Sequence, residues 1–188
     1  MIRKASRSIL FRAAVSRRRR ALVLAVCVFL CVMLAWSVAP FARYVTTRVY
    51  IIPSSSMAPT IGPGDRVGVR VGSYPRPKRG EIWVFQMPAA SGNAPNHAVK
   101  RVIGLPGESV EVTEGHVLIN GQPIEEPYLS TPVTYTMPAL KLGTDEYFML
   151  GDGRNSSHDS HVWGPLPADH LIGPVTVRYW PLRKMGGI

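Results

Sequence analysis

An unbroken uncharged run, Ala21 to Ala39, constrains this chain more than any other feature. As a helix rising 1.5 Å per residue it would span roughly 28 Å, about the thickness of a bilayer core. Residues 1–20 carry eight basic side chains (Arg3, Lys4, Arg7, Arg12, Arg17, Arg18, Arg19 and Arg20) and no acid. From residue 41 onward, 14 basic residues face 12 acidic ones, so the formal charge of +10 is mostly a tail. Such a tail suits anionic lipid head groups, at ~1 kcal/mol per basic residue near the surface. It lacks the interleaved aromatics of a nucleic-acid binder, so no nucleic-acid partner is expected. The positive-inside rule then keeps the N-terminus cytoplasmic and exports the rest, giving a single-pass protein of the cell membrane. Ser37-Val38-Ala39 has the small-x-small form of a signal cleavage site, but Pro40 would follow the cut and opposes it. A retained anchor is therefore expected over a cleaved signal. Cys27 and Cys31 stand at helical spacing inside the apolar run, and the exported part has no cysteine, so its stability must come from a packed core.

The remainder reads as β-structure. Gly and Pro number 17 each, which favours turns, and no later stretch keeps a 3.6-residue period. Strands are expected at residues 43–52, 66–71, 81–86, 97–104, 109–113, 117–120, 147–150 and 171–180. Arg66 to Val71 alternates with period two, as a half-buried strand does. Asn120-Gly121 marks a tight hairpin, because both residues tolerate positive φ. Residues 86–96 read as a small polar loop, and the Pro- and Thr-rich residues 126–145 as a surface excursion. The expected organisation is a basic cytoplasmic tail (1–20), a transmembrane anchor (21–39) and an extracytoplasmic β-rich domain (40–188). The expected fold class is mainly β: an antiparallel, barrel-like sheet behind one N-terminal transmembrane helix.

Two residues carry the chemistry. Ser56 lies in Pro53-Ser54-Ser55-Ser56-Met57-Ala58-Pro59-Thr60, where two prolines restrict the backbone around the hydroxyl. Ser54 is positioned to donate its hydroxyl to a developing oxyanion, with the Ser56 backbone N–H as second donor. Lys100 lies in the apolar strand His97 to Ile103. Alternation places it with Ala98 and Val102, opposite Val99, Arg101 and Ile103. A lysine at such a position usually snorkels to water. If buried, it loses proton affinity from ~10.4 by up to several pH units, and the free amine can take the proton of Ser56 without a histidine. A polar loop, Gly151 to Gly164, follows an apolar strand and is dense enough in Asp, Arg, Ser and Asn to buttress that lysine.

These segments resemble four boxes of the type I signal peptidases, membrane-bound serine-lysine proteases that remove signal peptides. The first is PSSSMAPT around Ser56. The second is Arg79-Gly80-Glu81-Ile82-Trp83-Val84-Phe85. The third is Lys100-Arg101-Val102-Ile103-Gly104-Leu105-Pro106-Gly107-Glu108, and the fourth spans residues 151–164. The resemblance covers roughly residues 22–180. It implies Ser56 as nucleophile, Lys100 as general base, Ser54 in the oxyanion site, a Ser157 hydroxyl contact to the lysine, and a structural ionic role for Asp159. Two positions depart from the pattern. Gly153 stands where an Asn is usual and is expected to loosen the loop. His161 stands where an Arg usually pairs with the aspartate, which makes that pairing pH-dependent or absent. The short interval from Lys100 to Gly151 implies a compact member without an extra β-domain.

The same resemblance implies preprotein substrates cut after small-x-small (Ala-x-Ala) sites. Tyr50, Ile52, Pro53 and Met57 would shape shallow apolar pockets along the strand that leads to Ser56. Of Trp83, Trp163 and Trp180, at least two are expected in the core and the rest at the membrane surface. Five histidines match no zinc spacing, so neither metal nor cofactor is expected. The sequence does not set the oligomeric state. A pilin-maturation peptidase, a self-cleaving repressor relative and an inactive membrane-tethered binding module remain alternatives at this point.

Overall fold

The computed structural model describes residues 22–36, 47–72, 74–92 and 96–188. The chain divides into two compact units, Met1–Val45 and Thr46–Ile188. In the first, residues 22–36 form helix α1, whose apolar side chains, Leu22, Phe29 and Leu34 among them, are exposed. Among the described residues no helix is long and apolar enough to cross a membrane. The anchor expected over 21–39 is described only between 22 and 36. The tail 1–20 and the junction 37–46 lie outside the described residues.

Among the described residues, the second unit holds twelve strands. They are β1 (Thr47–Ile51), β2 (Arg66–Arg70), β3 (Ile82–Gln86), β4 (His97–Gly104), β5 (Ser109–Thr113), β6 (His116–Ile119), β7 (Gln122–Pro123), β8 (Met137–Lys141), β9 (Glu146–Leu150), β10 (Leu166–Pro167), β11 (Leu171–Trp180) and β12 (Gly186–Gly187). All pairings are antiparallel. An eight-stranded sheet runs β1-β2-β11-β3-β4-β9-β10, with β12 on β11. A four-stranded sheet runs β7-β6-β5-β8. The mainly β expectation therefore holds.

Three core clusters lie against these sheets. One joins the small sheet to the large one through Val110, Val112, Val117, Ile103 and Phe148. A second lies under the serine turn, with Ile52, Met57, Ile61, Val67, Val69, Ile82 and Val84. The third gathers Trp83, Phe85, Val102, Met149 and Trp163. β4 is buried on both faces, since Val102 and Ile103 enter different clusters. β2 likewise buries Val67, Gly68 and Val69 in succession, so it is not the half-buried strand that alternation suggests. The reason is its place between β1 and β11, beneath the serine turn.

The interval after Lys100 is not empty of extra structure. It holds the whole four-stranded sheet, and β8 lies within the stretch read as a surface excursion. Prolines mask the apolar pattern there, yet Val133 and Leu142 are buried. The Asn120-Gly121 turn behaves as expected, with φ of 51° and 77°. Trp83 and Trp163 are core residues, while Trp180 is exposed. A four-residue helix, α2 (Ser160–Trp163), also escapes the sequence pattern because it is a single turn.

Candidate active site

The Ser56 turn is pinned at both ends by ordinary physics. Its base is closed by Ile52 N–H donating to Asp65 O (2.9 Å) and Gly64 N–H donating to Ile52 O (2.8 Å). Within it Ala58 N–H bonds Ser55 O at 2.9 Å and Ile61 N–H bonds Met57 O at 2.8 Å. Met57 and Ile61 are driven into the core, at 1% and 0% exposure. Ser56, one residue before Met57, is thereby held at the surface of the fold and is only partly exposed. Its Oγ lies 3.1 Å from Ser54 Oγ.

β4 supplies Lys100, opposite Trp83 of β3 and one residue before the stretch that pairs with β9. It does not snorkel: the residue is 5% exposed. Burial lowers its pKa from 10.5 to about 8, and the carboxylates of Asp159 and Asp152 pull it partly back up. Arg101 is also buried, against the other part of the site. Its Nε and Nη2 donate to the two oxygens of Asp152 at 2.8 and 2.6 Å, and Nη1 donates to Gly80 O at 2.7 Å. The guanidinium stacks 3.8 Å above the centroid of Tyr128.

The loop after β9 closes the back of the site. Gly153 N–H donates to Ser56 O at 3.0 Å. A side chain at Gly151 is excluded, because a Cβ there would fall 2.2 Å from Ser157 Oγ and 2.4 Å from Ser56 O. A Cβ at Gly153 would stand 3.1 Å from Ser55 O. The glycine at 153 thus lets the loop approach the Ser55–Ser56 backbone closely. Ser157 is buried, and its Oγ has no hydrogen-bond partner among the described residues, so no bond to Lys100 is formed here. Asp159 is fully buried. Its Oδ2 accepts Gly151 N–H (2.9 Å), and its Oδ1 accepts the His161 backbone N–H (3.2 Å) and stands 2.7 Å from His161 Nδ1. The histidine therefore does pair with the aspartate. Arg154 completes the support, donating to both oxygens of Glu126 (2.7 and 2.5 Å) and to Gly151 O (3.1 Å).

A cavity of about 300 Å³ brings the expected residues together: Tyr50, Ile52, Pro53, Ser54, Ser56, Met57 and Lys100 all line it. Asp159 and Ser157 do not line it. Sequence reasoning missed Val84, Met87, His97, Ser156 and His158 on its wall. It also missed the pairs Arg101–Asp152 and Arg154–Glu126, whose partners are 51 and 28 residues apart in sequence. The only available signal was the presence of arginines inside otherwise apolar or Gly-rich segments. No cluster of side chains among the described residues has the form of a metal site.

Comparison with known proteins places the chain in a family. The family model described as "Signal peptidase, peptidase S26" matches residues 21–180. A signal peptidase I of Leptolyngbya laminosa is 45% identical over 166 residues, 84% of this chain and 78% of the relative. A probable signal peptidase I-1 of a Synechocystis strain is 41% identical over 160 residues, 82% of each. A crystal structure of a signal peptidase I from Enterococcus faecalis V583 is 30% identical, covers 55% of this chain and all of that one, and has a TM-score of 0.48. Matched over residues 21–180 by the family model, and sharing this identity with relatives over most of their length, the chain belongs to the signal peptidase I family of serine peptidases, peptidase S26.

Proposed function

We propose that this protein is a membrane-anchored signal peptidase that cuts preproteins after small-x-small (Ala-x-Ala) sites, with Ser56 as nucleophile and Lys100 as general base. One observation carries the reading: a lysine buried to 5% exposure lines the same cavity as a turn-held serine. The shift of its pKa to about 8 leaves an appreciable fraction as free amine near neutrality.

In the proposed mechanism the preprotein lies as an added strand along β1, which among the described residues ends its sheet, next to β2. Ser56 Oγ attacks the scissile carbonyl while Lys100 Nζ takes its proton. The oxyanion accepts hydrogen bonds from Ser54 Oγ and the Ser56 backbone N–H. The lysine ammonium then gives its proton to the leaving amine, and the acyl ester on Ser56 is hydrolysed by water that Lys100 deprotonates. Rotation of Ser157 Oγ toward Lys100 would satisfy that buried hydroxyl and fix the amine. Tyr50, Ile52, Pro53 and Met57 form the apolar wall that excludes large side chains beside the scissile bond.

The anchor rests on separate support: the uncharged run 21–39, the exposed apolar surface of α1, and the arginines before it. The proposed topology is a cytoplasmic N-terminus with the catalytic unit outside, at the membrane surface where cleavage sites emerge. The test is cleavage of an Ala-x-Ala preprotein by the full chain in detergent micelles. Ser56→Ala and Lys100→Met should each lower kcat/KM roughly 10³-fold or more, and wild-type activity should rise with pH to a plateau above about 8. An active Lys100→Met enzyme would remove the proposed base.

A further inference from the structure

Three carboxylates with buried side chains lie in, or pair with, the loop after β9, and their partners differ in kind. Asp152, with a fully buried side chain, is held by Arg101. Glu126 is held by Arg154. Asp159, whose side chain is also fully buried, is held by His161 at 2.7 Å. Guanidinium keeps its charge at every working pH, whereas imidazole gains and loses it near neutrality. Of the two acids whose fields reach Lys100, Asp152 has a permanent counter-charge and Asp159 a conditional one.

The geometry points to His161 as a positioning residue for the catalytic base: through the buried Asp159 carboxylate, the charge that His161 carries sets how much of Lys100 stands ready as free amine. This rests on the reading of Lys100 as the base. A carboxylate only accepts, so the hydrogen between the two groups sits on His161 Nδ1 and the second proton goes to Nε2. The His161 side chain is 20% exposed, so solvent reaches the ring. Tyr135 stacks on it at 4.2 Å and 17°, which holds the ring plane. The charged and titratable groups around the pair are Tyr135, with Arg154 and Glu126 behind it, and Lys100 and Asp152 on the Asp159 side. Asp159 keeps its bond to Gly151 N–H in either state, so the loop stays in place and the effect is electrostatic. With a neutral imidazole, Asp159 presents a full negative charge that holds the Lys100 proton. With an imidazolium, that charge is cancelled and the proton is released more readily.

The experiment compares pH profiles of kcat/KM for wild type, His161→Arg and His161→Gln on one preprotein, using the full chain in micelles. The acid limb of His161→Arg should lie ~0.5 pH unit or more below that of His161→Gln, about threefold in rate at fixed pH on the limb. Wild type should lie on or between the two limbs. Coincident limbs of the two variants overturn the proposal. If either substitution unfolds the chain, His161→Lys or His161→Asn takes the place of the charged or the neutral variant.

A parallel NMR titration of the Lys100 side-chain carbons, assigned by their loss in Lys100→Met, separates the two levels of the argument. Lys100 titrating identically in all three proteins overturns the role of His161. A Lys100 titration that moves while the rate profile stays fixed overturns the reading of Lys100 as base.

Discussion

Replacing Lys100 by methionine should disarm the enzyme and strengthen its fold. Methionine fills nearly the same unbranched volume and carries no charge. Lys100 is 5% exposed, and burial brings its pKa from 10.5 to about 8. At about 1.4 kcal/mol per pH unit, keeping the ammonium inside the fold costs about 3 kcal/mol. The sign follows from proton counting. Below about 8 the group is protonated whether folded or not, and the full cost is present. Between about 8 and 10.5 the unfolded chain binds more protons than the folded one, so stability climbs with pH and the cost fades. The assay is guanidinium unfolding of Ser56→Ala and Ser56→Ala/Lys100→Met, as full chains in micelles, followed by tryptophan fluorescence. The second protein should be the more stable by about 3 kcal/mol at pH 7 and by only about 1 kcal/mol at pH 10. A gap of zero at pH 7, or one unchanged between the two pH values, would refute the claim that Lys100 is charged at a desolvation cost.

Two other substitutions probe the scaffold. Gly151→Ala places a methyl 2.4 Å from Ser56 O and 2.2 Å from Ser157 Oγ, so the Ser56 backbone must move. It should cost about 1–3 kcal/mol of stability and at least ~10²-fold in kcat, with unfolding and steady-state assays as the checks. Asp152→Asn leaves the Arg101 guanidinium buried without its counter-charge, which should cost about 3–5 kcal/mol. It also removes one of the fields that hold the Lys100 proton, so in the folded fraction the acid limb of kcat/KM should move to lower pH.

Much of the catalytic unit was legible because its signals are local. β4, β5 and β11 occupy the residues that their apolar runs and turns predicted. Ser56 was conspicuous for its flanking prolines, Lys100 for its apolar strand. What stayed hidden was non-local. Arg101 finds Asp152, and Arg154 finds Glu126, only after β9 pairs with β4 and brings its loop alongside. β8 was obscured because Pro132 and Pro138 broke up an apolar pattern that the small sheet nonetheless buries. The close approach at Gly153 stayed hidden for the same reason. That glycine's value lies in the approach of Ser55 and Ser56 carbonyls from a distant segment, which no neighbouring residue foretells.

The central claim is that the hydroxyl of Ser56 attacks the substrate. Rapid acid quench of a single turnover, followed by mass spectrometry of the digested enzyme, tests it most directly. The account predicts a transient acyl mass on the peptide containing Ser56, formed faster at pH 9 than at pH 6 and missing in Ser56→Ala. Product formed without any acyl adduct on that peptide in pre-steady state, or an adduct on another residue, would contradict it.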